Sequence, residues 1–246
     1  YSLEKHCEVL REKVGAVAFR VMPAKKLFAL GVGHVRRRDM EPGARSDEPG
    51  SVTDVAVVDL TDHEWRIMEA VKREFEPDEL VADLWEARAA EAGVSLEEFF
   101  RVAEDLNERR VVGRFSTFLE HVKKLSTGEQ VTRYNALFHW AVPTGREIEA
   151  GREVGRHYIM THGYWREGGP EFRNVNIMGV AHGTDKDKVL AHKAAIDEHL
   201  AEVGIEVSYT NVFWGGRSEI KPSEISPFAY TRWCEGHGIK PANMRA

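Results

Sequence analysis

Between residues 133 and 215 the sequence switches between two periods in an order that few folds accommodate. RYNALFHWAVP (133–143) reads as a strand ended by Pro143, GREIEAGREVGRHY (145–158) has helical spacing, and HGYWR (162–166) begins an exposed strand. NVNIMGVAHG (174–183) is another strand. DKDKVLAHKAAIDEHLAEVG (185–204) is a capped helix closed by Gly204, and EVSYTNVFWG (206–215) is a last long strand. A β-α-β-β-α-β order is that of a ferredoxin-like plait, a sheet covered by helices on one face.

Upstream the pattern is helical. Thr61 with Glu64 forms a capping box ahead of a stripe at Trp65, Met68, Val71 and Phe75. Pro77 opens a short helix containing Leu80, Leu84 and Trp85, and Gly93 breaks it. Ser95 with Glu98 makes a second capping box before LEEFFRVAEDLNERR (96–110). These helices predict a helix-turn-helix, and residues 111–118 its β-wing.

The first residues repeat the end of the plait. Leu3, Cys7, Leu10 and Val14 mark an amphipathic helix that Gly15 can cap, and two β-like runs follow, AVAFRVMP (16–23) and KLFALGVGHVRR (26–37). Residues 2–36 thus run like residues 185–221. RDMEPGARSDEPGS (38–51), with two Pro-Gly pairs and no apolar period, predicts a linker and the best boundary. The expected organisation is residues 1–50 as the end of a preceding similar module plus linker, 51–128 as a winged helix-turn-helix, and 129–246 as the plait with a C-terminal tail. The chain opens on Tyr1 rather than Met, which predicts that something precedes it.

Composition narrows function. With 42% apolar and 30% charged residues the chain can bury a core, and no apolar run approaches the ~20 residues of a membrane span. Lys and Arg number 34 against 40 Asp and Glu, a formal charge of −6, which argues against a protein devoted to gripping phosphates. The helix at 96–110 carries Glu97, Glu98, Glu104, Asp105 and Glu108 against Arg101, Arg109 and Arg110, a poor surface for DNA. Cys7 and Cys234 form no CxxC pair, so neither a disulfide framework nor a cysteine zinc site is suggested, and a cytoplasmic location is expected.

Candidate chemistry concentrates in the plait. His162, Tyr164 and Arg166 differ by two and share one face of a strand, with Gly163 offering a close backbone approach. Imidazole titrates nearest neutrality and suits proton transfer. His192 and His199 lie about 10 Å apart along one helix at ~1.5 Å per residue, too far to share a metal, and read as packing or surface residues. His63 and His121 have no partner at ligand spacing and read as structural.

A helix-turn-helix followed by a plait looks like the Lrp/AsnC architecture, and the motifs resemble one branch of it, the siroheme decarboxylases of the alternative haem and d1-type haem pathways. RRVVGRFST (109–117) resembles that family's GVIRRFGA segment and RYNALFHWAVP its NAMVVWRVP strand. THGYWR matches SHCYxR through His162, Tyr164 and Arg166. NVNIMGVAHG matches YNLYTMVHG through Asn176, His182 and Gly183, and RSEIKP (217–222) resembles TREFKK. The resemblance covers roughly residues 60–221. Phe172 or Arg173 stands where the family usually shows a Trp-Pro pair, and the tail after Lys221 has no counterpart.

The resemblance implies an α+β carboxy-lyase that removes acetate carboxylates from a siroheme-type tetrapyrrole, giving didecarboxysiroheme. It also implies pairing with a homologous module or subunit, as a homo- or heterodimer. No cofactor is implied beyond the iron tetrapyrrole substrate. Arg114, Arg166, Arg217 and Lys221 would bind carboxylates. Trp140, Trp165, Phe172 and Trp214 are ring walls or core, Trp140 the better core residue. Asn176 and His182 would contact substrate, His162 would donate a proton with Tyr164 as the alternative donor, and His162 or His182 would ligate the iron. The rival reading is an Lrp/AsnC-type regulator or a haem sensor without catalysis.

Overall fold

The structure is a computed structural model describing residues 1–30, 40–55, 57–73, 75–112, 126–128, 133–215 and 226–245. Two compact units emerge. Residues 1–16, 56–117 and 219–246 form one, and residues 17–55 and 118–218 the other. These groupings cut across the segmentation at 50 and 128, because they follow contacts rather than chain order.

In the helical unit, α1 (Leu3–Val14) starts at Ser2, whose side chain accepts from the Lys5 amide, and ends at Gly15 in the left-handed region. α2 (Asp62–Lys72) has the complete Thr61–Glu64 capping box. Pro77 opens only the 3-10 turn Pro77–Glu79, and the helix proper, α3 (Leu84–Ala92), begins later at Asp83. α4 (Leu96–Glu108) has half of its expected box. Ser95 accepts from the Glu98 amide, but the Glu98 carboxylate is taken by Arg101 and His63. Ile67, Met68, Phe99, Val102 and Leu106 form the core among α2, α3 and α4. Buried Arg88 pairs with Glu79 at 3.2 Å and lies 4.3 Å over the Phe75 ring. The expected wing lies outside the described residues beyond Val112. The tail builds α7 (Pro227–Gly236), and Arg232 pairs with Glu69 of α2.

The second unit is a six-stranded antiparallel sheet. Its strands are β1 (Lys26–Leu30), β2 (Thr53–Asp54), β3 (Tyr134–Ala141), β4 (Met160–Trp165), β5 (Ile177–Gly183) and β6 (Tyr209–Gly215), ordered β2-β1-β4-β5-β3-β6. The order β4-β5-β3-β6 is that of the predicted plait. α5 (Glu147–Gly155) and α6 (Lys186–Glu202) cover one face over Phe28, Phe138, Trp140, Val154, Ile177, Ile196 and Leu200. Asp185 caps α6 through the Lys188 amide, and Gly204 turns the chain out at positive φ. No helix among the described residues is long and apolar enough to cross a membrane.

Three expectations change here. β4 is an interior strand, because β1 pairs with its outer side. AVAFRVMP forms no strand: Val17 is fully exposed and Pro23 offers no amide to a ladder, although Phe19, Val21 and Met22 are half-buried. The linker is a strap. Arg156 bonds the Ser46 and Asp47 carbonyls, Arg152 bonds the Gly50 carbonyl, and Tyr158 donates its amide to Ala44. The Pro-Gly turns shape this segment, and the residues at and just after the end of α5 hold it by these bonds together with the Ser46 and Gly50 amides.

Candidate functional site

Register decides which side chains meet. Phe138 pairs with Gly179 and Trp140 with Ile177, so the even residues of β3 and the odd residues of β5 face the helices. Across β5, Gly163 pairs with Gly179 and Trp165 with Ile177. Alternation therefore sends His162, Tyr164, Met178, Val180, His182, Leu137 and His139 to the other, outer face.

Two rows cross that face. Asn211, His139, Met178 and Tyr164 are partners from β6 through β3 and β5 to β4, and Phe213, Leu137, Val180 and His162 form the next row. The expected triplet is assembled along β4. The His162 and Tyr164 rings stack with centroids 6.0 Å apart and planes 16° apart. The Arg166 guanidinium lies 4.8 Å over the Tyr164 ring and donates to the Met22 carbonyl at 2.6 Å. Burial raises the Tyr164 hydroxyl above its ordinary range and nearby Arg166 opposes this, so Tyr164 is a neutral donor at pH 7. His162 Nδ1 is 3.1 Å from the Thr161 hydroxyl, which also donates to the Val180 carbonyl.

Other expected residues go elsewhere. Gly163 faces the helix layer and gives room to β1, with Ala29 3.4–3.6 Å from the position of a Cβ there. Trp165, also on that side, packs on the core, bonds Glu167 at 2.7 Å and lies under Lys25. Trp214 pairs with Ala136 and so faces the helices too, edge-on to Tyr134 and under Lys186. Neither indole shares a face with the triplet, because each sits at the opposite parity. Trp140 is fully buried core, its indole N–H donating to Asp197 at 2.7 Å.

Asn176 substitutes for a strand partner. Its side chain accepts from the Val142 amide and donates to the Val142 carbonyl, both at 2.9 Å, beyond the last residue of β3. Phe172 ends the 3-10 turn between β4 and β5 and is 37% exposed. His182 is buried on the outer face opposite Asn135. Arg114, Arg217, Lys221 and His121 lie outside the described residues. His192 and His199 are packing residues, both buried, and His63 pairs with Glu98 at 3.1 Å. Among the described residues, no three His, Cys, Asp or Glu side chains are grouped to hold a metal ion.

One outer-face group went unseen in the sequence. His139 sits beside Trp140 in the strand pattern, and only the register places it in the Tyr164 row. Burial depresses its imidazole to about 4, so the ring is neutral near pH 7. It packs 4.7 Å from the Phe213 ring, and its buried Nε2 has no hydrogen-bond partner among the described residues.

No protein-family model matches the chain, and no curated protein matches it. Solved structures do. The crystal structure of the siroheme decarboxylase NirDL superposes with a TM-score of 0.59 at 20% identity, over 96% of this chain and 62% of that one. NirDL in complex with an iron-uroporphyrin III analogue gives 0.58 at 19% identity, over 96% and 61%. An AsnC family transcriptional regulator from Agrobacterium tumefaciens gives 0.47 at 15% identity, over 70% and 99%. The chain thus spans about three fifths of the NirDL length. At these identities the likeness is one of fold: the α+β arrangement of helix-turn-helix and ferredoxin-like plait.

Proposed function

We propose that the chain is a carboxy-lyase module of siroheme decarboxylase type, acting on the acetate arms of a siroheme-type tetrapyrrole at the outer face of the sheet. The observation that carries this is the His162–Tyr164–Arg166 column, a proton-transfer group, a neutral donor and a cationic fork stacked along β4 and the residue that follows it. The complex of NirDL with an iron-uroporphyrin III analogue supports the ligand class. Assembly with a homologous module and a cytoplasmic location belong to the same reading.

The residues divide the work. Arg166 is anchored by Met22 through one amino group, which leaves the rest of its fork for a carboxylate that is to stay. The reacting acetate must sit away from such a clamp, because tight pairing stabilises the carboxylate ground state and raises the barrier. Its C–C bond breaks, carbon dioxide departs, and the electron pair delocalises into the substrate's own conjugated ring. His162 then delivers a proton to the carbon left behind, with Tyr164 one stacking distance away as the alternative donor.

Anaerobic incubation with siroheme, followed by product mass and evolved carbon dioxide, tests the proposal. Loss of carboxyl groups is expected. Intact siroheme after incubation with the chain and its homologous module would overturn it. A sequence-specific DNA footprint would favour the regulator, although Arg101 of α4 and Arg109 just after it are already held by Glu98, Glu64 and Asp105.

A further inference from the structure

We infer that Thr161 is a positioning residue of the site, its hydroxyl fixing the His162 ring in the Nδ1–H tautomer so that the proton given to substrate leaves from Nε2. This rests on the proposed function and names the atom through which its donor acts. The starting observation is a break in the ladder. Met160 pairs with Ala181 and His162 with Val180, so two steps along β4 answer one along β5. Thr161 is the extra residue of this bulge. Met160 packs in the core under the helices, and in an unbroken strand His162, two residues on, would face the same way. The bulge turns it to the outer face beside Tyr164.

Hydrogen-bond arithmetic then sets the tautomer. Thr161 is buried, and its hydroxyl donates to the Val180 carbonyl at 3.1 Å. A hydroxyl has a single hydrogen, so what it offers His162 Nδ1, 3.1 Å away, is a lone pair. Nδ1 must bring the hydrogen. Free histidine in water prefers the opposite, Nε2–H form; here the bond made by one nitrogen decides the state of the other. Two contacts thus hold the ring. The Tyr164 stack fixes its plane, and the Thr161 bond fixes which edge points to the strand.

The chemistry uses this arrangement. Before transfer the ring is an imidazolium, with Nδ1–H directed at Thr161. When carbon dioxide departs, the electron pair left on the substrate takes the Nε2 proton and becomes the new C–H bond. The ring ends as the neutral Nδ1–H form, which the Thr161 oxygen favours, so the group gives its proton without reorganising its own hydrogen bond. Without the hydroxyl, the same transfer would leave the proton on the nitrogen that has lost its acceptor.

Long-range proton–nitrogen NMR at about pH 8.5, above the ordinary imidazole range, reads the tautomer without substrate, and His162→Gln identifies the His162 signals. The wild type should show the Nδ1–H form. The isosteric Thr161→Val should shift the ring toward Nε2–H. It should also lose about tenfold to a hundredfold in single-turnover decarboxylation of siroheme, with tetrapyrrole affinity within about twofold, the scale of one lost hydrogen bond to a charged group. Thr161→Ser should restore both tautomer and rate; a residue that merely fills the bulge would change stability and leave both alone. An Nε2–H ring in the wild type overturns the proposal whether or not any Thr161 variant folds, and so does wild-type turnover by Thr161→Val. A wild type that holds the Nδ1–H form yet leaves siroheme intact beside its homologous module fails the decarboxylase reading, and the positioning role falls with it.

Discussion

Acid should destabilise the sheet unit before its carboxylates titrate, and His157 is a main reason. It lies 2% exposed at the end of α5, 5.3 Å from the His199 ring. Burial first, then electrostatic interaction with His199, Arg45 and Arg156, pushes its imidazole down from 6.5 to about 3, with Glu153 opposing. The depressed value means that the folded state refuses a proton the unfolded chain accepts. Above pH 6.5 the group is neutral in both states and contributes no pH dependence; as pH falls below 6.5 stability is lost, until the folded value near 3 is reached. The slope is about 1.4 kcal/mol per pH unit per group. His139, at about 4, behaves alike, so between pH 6.5 and 5.0 each costs about 2 kcal/mol and the pair about 4. That is a large part of a typical domain's 5–15 kcal/mol. Paired carboxylates such as Glu153 and Glu167 are held below 4.5 and stay ionised in that window. Urea unfolding of the wild type and His157→Leu should be followed from pH 7.5 to 5.0, with amide exchange of β3–β5 reporting on this unit. His157→Leu should lose a substantial part of the pH slope, with His139 and His192, also lowered by burial, carrying the rest. An unchanged slope would refute the assignment of the acid sensitivity to this buried imidazole.

Gly151 and Gly155 let α5 seat on β1, and a Cβ at Gly151 would lie 2.0–2.3 Å from the Phe28 ring. Gly151→Ala should therefore cost about 1–3 kcal/mol in urea unfolding, partly recovered by adding Phe28→Leu. Asn176→Ala strands the buried Val142 amide and carbonyl and should lower stability by about 2–4 kcal/mol while leaving tetrapyrrole affinity within about twofold. His162→Ala should retain the pigment but lose at least tenfold in single-turnover rate, since general acid catalysis supplies ~10²–10⁴. Arg166→Ala should instead weaken binding by roughly 1.5–3 kcal/mol, with Arg166→Lys recovering part of the loss, as spectroscopic titration will show.

Local chemistry determined the elements. The Thr61–Glu64 box, the Gly93 and Gly204 stops and Pro143 mark helix and strand ends that the structure keeps, because caps and breakers act on their own few residues. Strand alternation likewise put His162, Tyr164 and Arg166 together, and it separates Trp165 from them for the same reason. The order of elements carried the β4-β5-β3-β6 topology, since short antiparallel connections and covering helices leave few alternatives. Contacts between distant residues were another matter. That β1 covers the edge of β4, that the Pro-Gly segment straps onto α5, and that His139 shares a row with Tyr164 depend on pairings 14 to more than 130 residues apart. Periodicity says which face of its own strand a side chain takes. The register of one strand against the next is set by collective packing and backbone pairing, and only the tertiary structure supplies it.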